Sequence, residues 1–242
     1  MLRYERKKAR FSTGDKTMLR YIHPDSGMSI TKAEAAGGKL KITTSGIYPS
    51  GIVGQYLLIF GTDYSFLRGY HAVTAVSGNE VTLNTQYGGP TLMFASNTVK
   101  SYMHNDFQVT GQATDANGNV STDAETFSTI GMQDEQSGGR MSYDCSLEVL
   151  ADSNNDLAYL LGVMDYATVK TISIDETKPY HAHVLLESYT STDEATASFK
   201  FATVYEFVKW NGWNTKSPGG STGKAVWSLT GTAVRKYIAG AR

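Results

Sequence analysis

Gly69-Tyr70-His71-Ala72-Val73-Thr74-Ala75-Val76, followed by Ser77-Gly78-Asn79 and then Glu80-Val81-Thr82-Leu83-Asn84, carries the strongest hairpin pattern in the chain. Both flanks alternate apolar and polar residues with the period of a strand that buries one face. Gly78-Asn79 tolerates positive φ, so the flanks are expected to fold back on each other. Upstream, Lys39–Thr43 and Gln55–Phe60 read as two short strands separated by a Gly/Pro/Ser stretch at Ser45–Gly54. Together these predict that residues 1–100 are a basic N-terminal arm and a small barrel-like β module. His71 is its one candidate acid or base, and it reads as a strand histidine facing solvent or a neighbour.

Residues 101–242 form the second expected domain. Phe107–Thr110, Glu125–Gly131, Arg140–Leu150, Thr168–Ile174, His181–Tyr189, Ala197–Val208, Lys224–Thr230 and Val234–Ile238 have strand character. One helix is expected near 156–164. Asp152–Asp156 offers N-cap residues, and Leu157, Leu160, Leu161 and Met164 form one apolar stripe. Asp115, Asn117, Asn119, Ser121 and Asp123 alternate as in a calcium loop. Val120 and Thr126, however, stand where an EF-hand needs its Gly and its bidentate Glu. His181 and His183 share one strand face at a metal-compatible spacing, without a recognisable third ligand.

Composition supports a mainly β chain. Of 242 residues 40% are hydrophobic and 19% charged, with 24 Gly, 15 Tyr and only 5 Pro. That charge fraction lies below the usual value of about 25%, which excludes a disordered chain. A single cysteine, Cys145, rules out an internal disulfide and reads as a small apolar strand residue. No apolar run reaches the roughly 20 residues of a membrane-spanning helix, and the basic N-terminus lacks the hydrophobic stretch of a signal peptide. A soluble chain without a membrane segment is therefore expected.

The net charge of −1 conceals an asymmetry. Arg3, Arg6, Lys7, Lys8 and Arg10 make the first ten residues basic. Asp123–Asp156 is acidic and includes Asp134 and Glu135, whereas the stretch after Thr196 is basic and includes Arg235 and Lys236. The bland reading is clustered solvated faces; the functional one is complementary surfaces that meet when copies stack.

In its order of elements, the run from Glu125 to the C-terminus resembles the tube proteins of long bacteriophage tails and the related needle-tube proteins. The residues concerned are Glu125–Gly131, the Gly138-Gly139 step, the strand Met141–Leu150 and the helix Asp156–Met164. They also include the strand Ala197–Val208, a Gly-rich loop and the strand Ala225–Gly231. The resemblance implies a tail-tube-type β-sandwich or barrel with one flanking short helix. It further implies a virion protein that forms homo-oligomeric rings, stacked into a tail tube or neck through which DNA passes without specific binding. Its partners would be copies of itself and other tail or neck proteins.

Arg3, Arg6, Lys7, Lys8, Asp134, Glu135, Trp210, Trp213, Arg235 and Lys236 are the candidate assembly residues. The acidic stretch suits either a lumen that repels DNA or a ring-to-ring contact. The run Lys209-Trp210-Asn211-Gly212-Trp213-Asn214 reads as an aromatic loop with three possible uses: an inter-subunit anchor, a sugar-stacking platform, or packing at a loop base. No Gly-x-Ser-x-Gly elbow, phosphate loop or His-Glu-x-x-His string occurs, so no enzyme and no cofactor are expected. The alternatives to the tube are a carbohydrate- or surface-binding β module and a capsid decoration or connector protein.

Overall fold

The computed structural model describes residues 17–109, 143–150, 161, 173–190, 197–216 and 226–242. In chain order its strands are β1 (Thr17–Ile22), β2 (Met28–Ala36), β3 (Lys39–Thr44), β4 (Tyr56–Phe60), β5 (Gly69–Ser77), β6 (Glu80–Gln86) and β7 (Leu92–Met93). They continue with β8 (Lys100–Met103), β9 (Gln108–Val109), β10 (Tyr143–Leu150), β11 (Ala182–Tyr189), β12 (Phe199–Lys216) and β13 (Val226–Ala239). The chain is of the mainly β, barrel or sandwich class. The helix expected near 156–164 and the strand at Glu125–Gly131 lie outside the described residues. Leu161, from the expected apolar stripe, is fully buried in the core of the second unit. Among the described residues no helix is long and apolar enough to cross a membrane.

Contacts divide the chain into two units, one built on Asp25–Phe107 with Ala239–Arg242, the other on Gln108–Ile238 with the segment ending at Pro24. The first unit is therefore inserted into the second, whereas the sequence reading drew one boundary at residue 100. The reason is pairing: β1 lies between β11 and β9, with Tyr21 opposite Val184 on one side and Gln108 on the other. The two ends of the insertion thus emerge from neighbouring strands.

In the first unit the neighbours run β3-β6-β5-β4-β8-β2, and β2 pairs again with β3, closing a six-stranded antiparallel barrel. Strand β2 closes it because it is long enough to serve two partners. Met28 and Ser29 face β8, while Ile30–Ala36 face β3. Closure leaves none of these six strands as an open edge. Alternation fills the inside: Leu40 and Ile42 on β3, Val81 and Leu83 on β6, and Leu57 and Ile59 on β4 all belong to one buried cluster. The predicted hairpin is β5–β6, with Ser77 opposite Glu80. Between β4 and β5, Gly61 sits at φ +84°, and a Cβ there would collide with the Thr98 carbonyl. No other residue type suits both conditions.

In the second unit the order is β10-β13-β12-β11-β1-β9. Both faces of its middle are buried. Leu19, Tyr21, Ala182, Val184, Leu186 and Tyr205 line one cluster, while Met18, Arg20, Leu185, Glu187 and Val204 are buried on the other face. The sequence predicts a strand at Ala197–Val208 followed by an aromatic loop at Lys209–Asn214. Instead β12 runs 18 residues without a break, and the expected pair Lys224–Thr230 and Val234–Ile238 is one strand of 14 residues. Two steps on β11, from Ala182 to Val184, match three on β12, from Val208 to Tyr205, so β12 carries a bulge. Phe207 occupies it at φ +56°, a conformation that bulky residues rarely adopt.

Candidate functional site

The second unit concentrates its polar chemistry in the middle of the sheet. Arg20 pairs across β1–β11 with Leu185, and Glu187 pairs with Met18, so the two charged side chains meet on a diagonal. Arg20 Nε donates to Glu187 Oε2 at 2.7 Å with side-chain exposures of 2% and 0%. Tyr189 Oη donates to the same oxygen at 2.8 Å. A second set repeats these residue types on β12 and β13. Tyr237 Oη donates to Glu206 Oε1 at 2.7 Å, and Arg235 Nη1 approaches Glu206 Oε2 at 3.5 Å. Burial, and after it the Glu187 charge, push the Tyr189 phenol well above its ordinary range. It therefore stays protonated and acts as a donor. Each buried glutamate is thus held by an Arg and a Tyr, an arrangement that fixes strand pairing.

At the far end of β11, histidines cap the bulge. His183 Nδ1 accepts the Phe207 N–H at 3.1 Å, and its ring meets the Phe207 ring edge-to-face at 4.6 Å. His181 Nδ1 accepts the Trp210 N–H at 2.9 Å, so its Nε2 carries the proton and donates to the Asp175 carbonyl at 2.9 Å. His23 Nε2 lies 3.2 Å from Lys178 Nζ, which can only donate. His181 and His183 thus serve backbone amides. Among the described residues no group of three or more His, Cys, Asp or Glu is placed to hold a metal ion.

In the first unit His71 is fully buried. Its Nε2 donates to the Leu67 carbonyl at 2.9 Å, and its Nδ1 lies 2.6 Å from the Thr85 hydroxyl, which donates to it. Burial first, with the Arg242 charge helping, pushes its pKa down to about 4. The solvent-facing position allowed by the sequence is replaced by a neutral core histidine. Cys145 is buried in the second unit, and desolvation pushes its thiol far up, so the thiolate a nucleophile needs is suppressed.

The expected assembly residues fall in two groups. Arg3, Arg6, Lys7, Lys8, Asp134 and Glu135, like the calcium-like run Asp115–Asp123, lie outside the described residues. Trp210 is 1% exposed inside the apolar cluster, and Trp213 is half-buried against it. Of the three uses weighed for the aromatic run, packing is the one Trp210 fulfils, because β12 continues through it and Gly231 of β13 leaves room for it. A Cβ on Gly231 would meet the Lys209 carbonyl and stand 2.9 Å from Trp210 Cα. Arg235 is committed to Glu206, and Lys236 Nζ sits 5.5 Å from the centroid of the Tyr205 ring.

Arg20, Glu187, Glu206 and Tyr237 are not among the residues expected from the sequence to matter. For Arg20 and Glu187 the signal was a charge inside an apolar run, Met18-Leu19-Arg20-Tyr21-Ile22 and Val184-Leu185-Leu186-Glu187. In such a run a buried charge requires a partner.

Several large apolar side chains are exposed. In the first unit Ile47 is 71% and Met93 73% exposed, with Val53 and Tyr64 about half so. Tyr64 borders a ring cluster, 5.7 Å from Phe66 and 6.4 Å from Phe94, with Phe66 stacked on Tyr87 at 4.8 Å. In the second unit Ile238 is 72% and Phe201 40% exposed. No protein-family model, no curated protein and no solved structure matches this chain.

Proposed function

We propose that the chain is a structural virion subunit that assembles with copies of itself into stacked rings, a phage tail tube or neck through which DNA passes. The observation that carries this reading is the exposure of large apolar side chains on otherwise well-packed β units, Ile47, Met93 and Ile238 above all. Large apolar side chains left in water on a stable scaffold are available for burial against a protein partner. Several titratable side chains among the described residues are engaged structurally, which suits the same reading. His71, His181, His183, Glu187 and Glu206 are buried and spend their donors and acceptors on neighbouring strands and side chains. The order of elements seen in the sequence supplies the tube geometry and the virion location.

Sedimentation and negative-stain microscopy at rising protein concentration and low salt test it. Rings or hollow tubes of uniform width are expected. A single-chain species at every concentration would turn the reading toward a surface-binding module.

A further inference from the structure

We propose that Ala239–Arg242 and the edge of β5 form an exchangeable joint, in which this segment of one copy of the chain docks on the β5 edge of the next. The inference rests on the assembly reading above and names the contact that closes its rings. Residues Ala239–Arg242 belong to the first unit, although β13 as far as Ile238 belongs to the second. The segment runs parallel to the first half of β5, with Ala241 bridged to Tyr70. The Ala72 N–H donates to the Arg242 carbonyl at 2.8 Å. Arg242 Nη1 donates to the Phe66 carbonyl at 2.9 Å and to the Ser65 carbonyl at 3.2 Å. Room for the segment exists because β6 pairs with β5 only as far as Leu83, opposite Val73, and then keeps to β3 at Gln86. At Gly69, where the joint begins, a Cβ would stand 3.2 Å from the Ala239 Cβ.

The segment is held by few contacts. Ala239 is buried, but Gly240, Ala241 and Arg242 are exposed, and none of the four supplies a large apolar side chain. Local opening of so small a contact lies at the low end of a protein's stability range. Once it opens, the Ala72 N–H and the Ser65 and Phe66 carbonyls lose their partner, and the stretch becomes a short open edge, a template for another extended chain.

Segment and edge are different surfaces of the same molecule. Each copy can therefore give its segment to one neighbour and take a segment from another. A heterologous contact of this kind repeats around a ring when its rotation closes. The exchanged contacts reproduce the closed ones, so the balance between the two forms is set at the hinge. Ile238, directly before the segment, is 72% exposed in the closed form, and crossing to a neighbour offers it a surface to bury against.

Wild-type assemblies grown from an equal mixture of chains labelled with heavy nitrogen and chains labelled with heavy carbon test the exchange, because nitrogen-to-carbon transfer then occurs only between copies. Solid-state NMR of the mixture is expected to show transfer from the Ala72 nitrogen to the Arg242 carbonyl carbon, across their hydrogen bond. Assemblies of chains carrying both labels are the reference. Transfer in the reference but none in the mixture means that each segment stays on its own chain; it overturns the exchange and leaves the assembly reading standing. No transfer in either means that the segment has left the β5 edge, and this also overturns the exchange. Chains that never assemble overturn both readings together.

Discussion

Burial in the barrel disfavours a charged His71, and the Arg242 charge acts in the same direction, while the neutral ring is held by Thr85 at Nδ1 and Leu67 at Nε2. Its pKa is pushed down from the ordinary 6.5 to about 4. A histidine depressed in this way contributes stability that is complete above the unfolded value and is lost as pH falls from 6.5 toward 4. At roughly 1.4 kcal/mol per unit the loss reaches about 3 kcal/mol. Amide exchange at barrel strands such as β4, followed from pH 7 to pH 4, should show that slope, and His71→Gln should flatten it.

The buried glutamates make a sharper test at the same scale. Glu187→Ala leaves the Arg20 guanidinium, 2% exposed, without its carboxylate. A cost of about 3–5 kcal/mol is expected, the usual scale when one partner of a buried ion pair is removed. Replacing both partners, as Arg20→Met with Glu187→Leu, should recover most of it, because the pair's own attraction is largely cancelled by its desolvation. All 3 tryptophans of the chain, Trp210, Trp213 and Trp227, belong to the second unit, so urea unfolding followed by tryptophan fluorescence reads the effect there.

Among elements, β12 decides the most. It pairs with β11 from Phe199 to Val208, carries the bulge at Phe207 within that pairing, and neighbours β13 on its other side. Its close approach to β13 depends on Gly231. Gly231→Ala should destabilise the second unit by about 1–3 kcal/mol, the usual scale of overpacking, again read by tryptophan fluorescence in urea. The corresponding position in the barrel is Gly61, where positive φ and the Thr98 carbonyl act together. Barrel-strand amide exchange should find Gly61→Ala at least as damaging there, with little change at Trp210.

For the whole molecule, the exposed apolar side chains separate stability from association. Ile47→Ser, Met93→Ser and Ile238→Ser remove side chains that are 71%, 73% and 72% exposed, so each should change stability by no more than about 0.5 kcal/mol. Under the assembly reading, the triple variant should raise the concentration at which rings or tubes appear by tenfold or more. Light scattering across a dilution series checks this, with unfolding curves confirming that each chain remains folded. An unchanged threshold would separate these side chains from any assembly surface.

Local chemistry alone determined the hairpin at Gly69–Asn84, the alternating strands β3, β6 and β10 and the β-rich class, because side-chain period and turn residues are short-range properties. Strands β1, β2 and β8 were not legible in the same way. Met18-Leu19-Arg20-Tyr21-Ile22 barely alternates, and β2 includes Ala33, Ala35 and Ala36, whose intrinsic strand preference is weak. Tertiary structure decided the rest. The long-range pairing of β1 with β11 and β9 made the small module an insertion. Closure of β2 onto β3 made it a barrel, and burial turned the aromatic run at Lys209–Asn214 from a loop into core strand. The partners of Arg20 and Glu206 lie 167 and 29 residues away, and no spacing rule reaches that far. A buried charge announces in sequence that it needs a partner; the topology of the sheet selects which one.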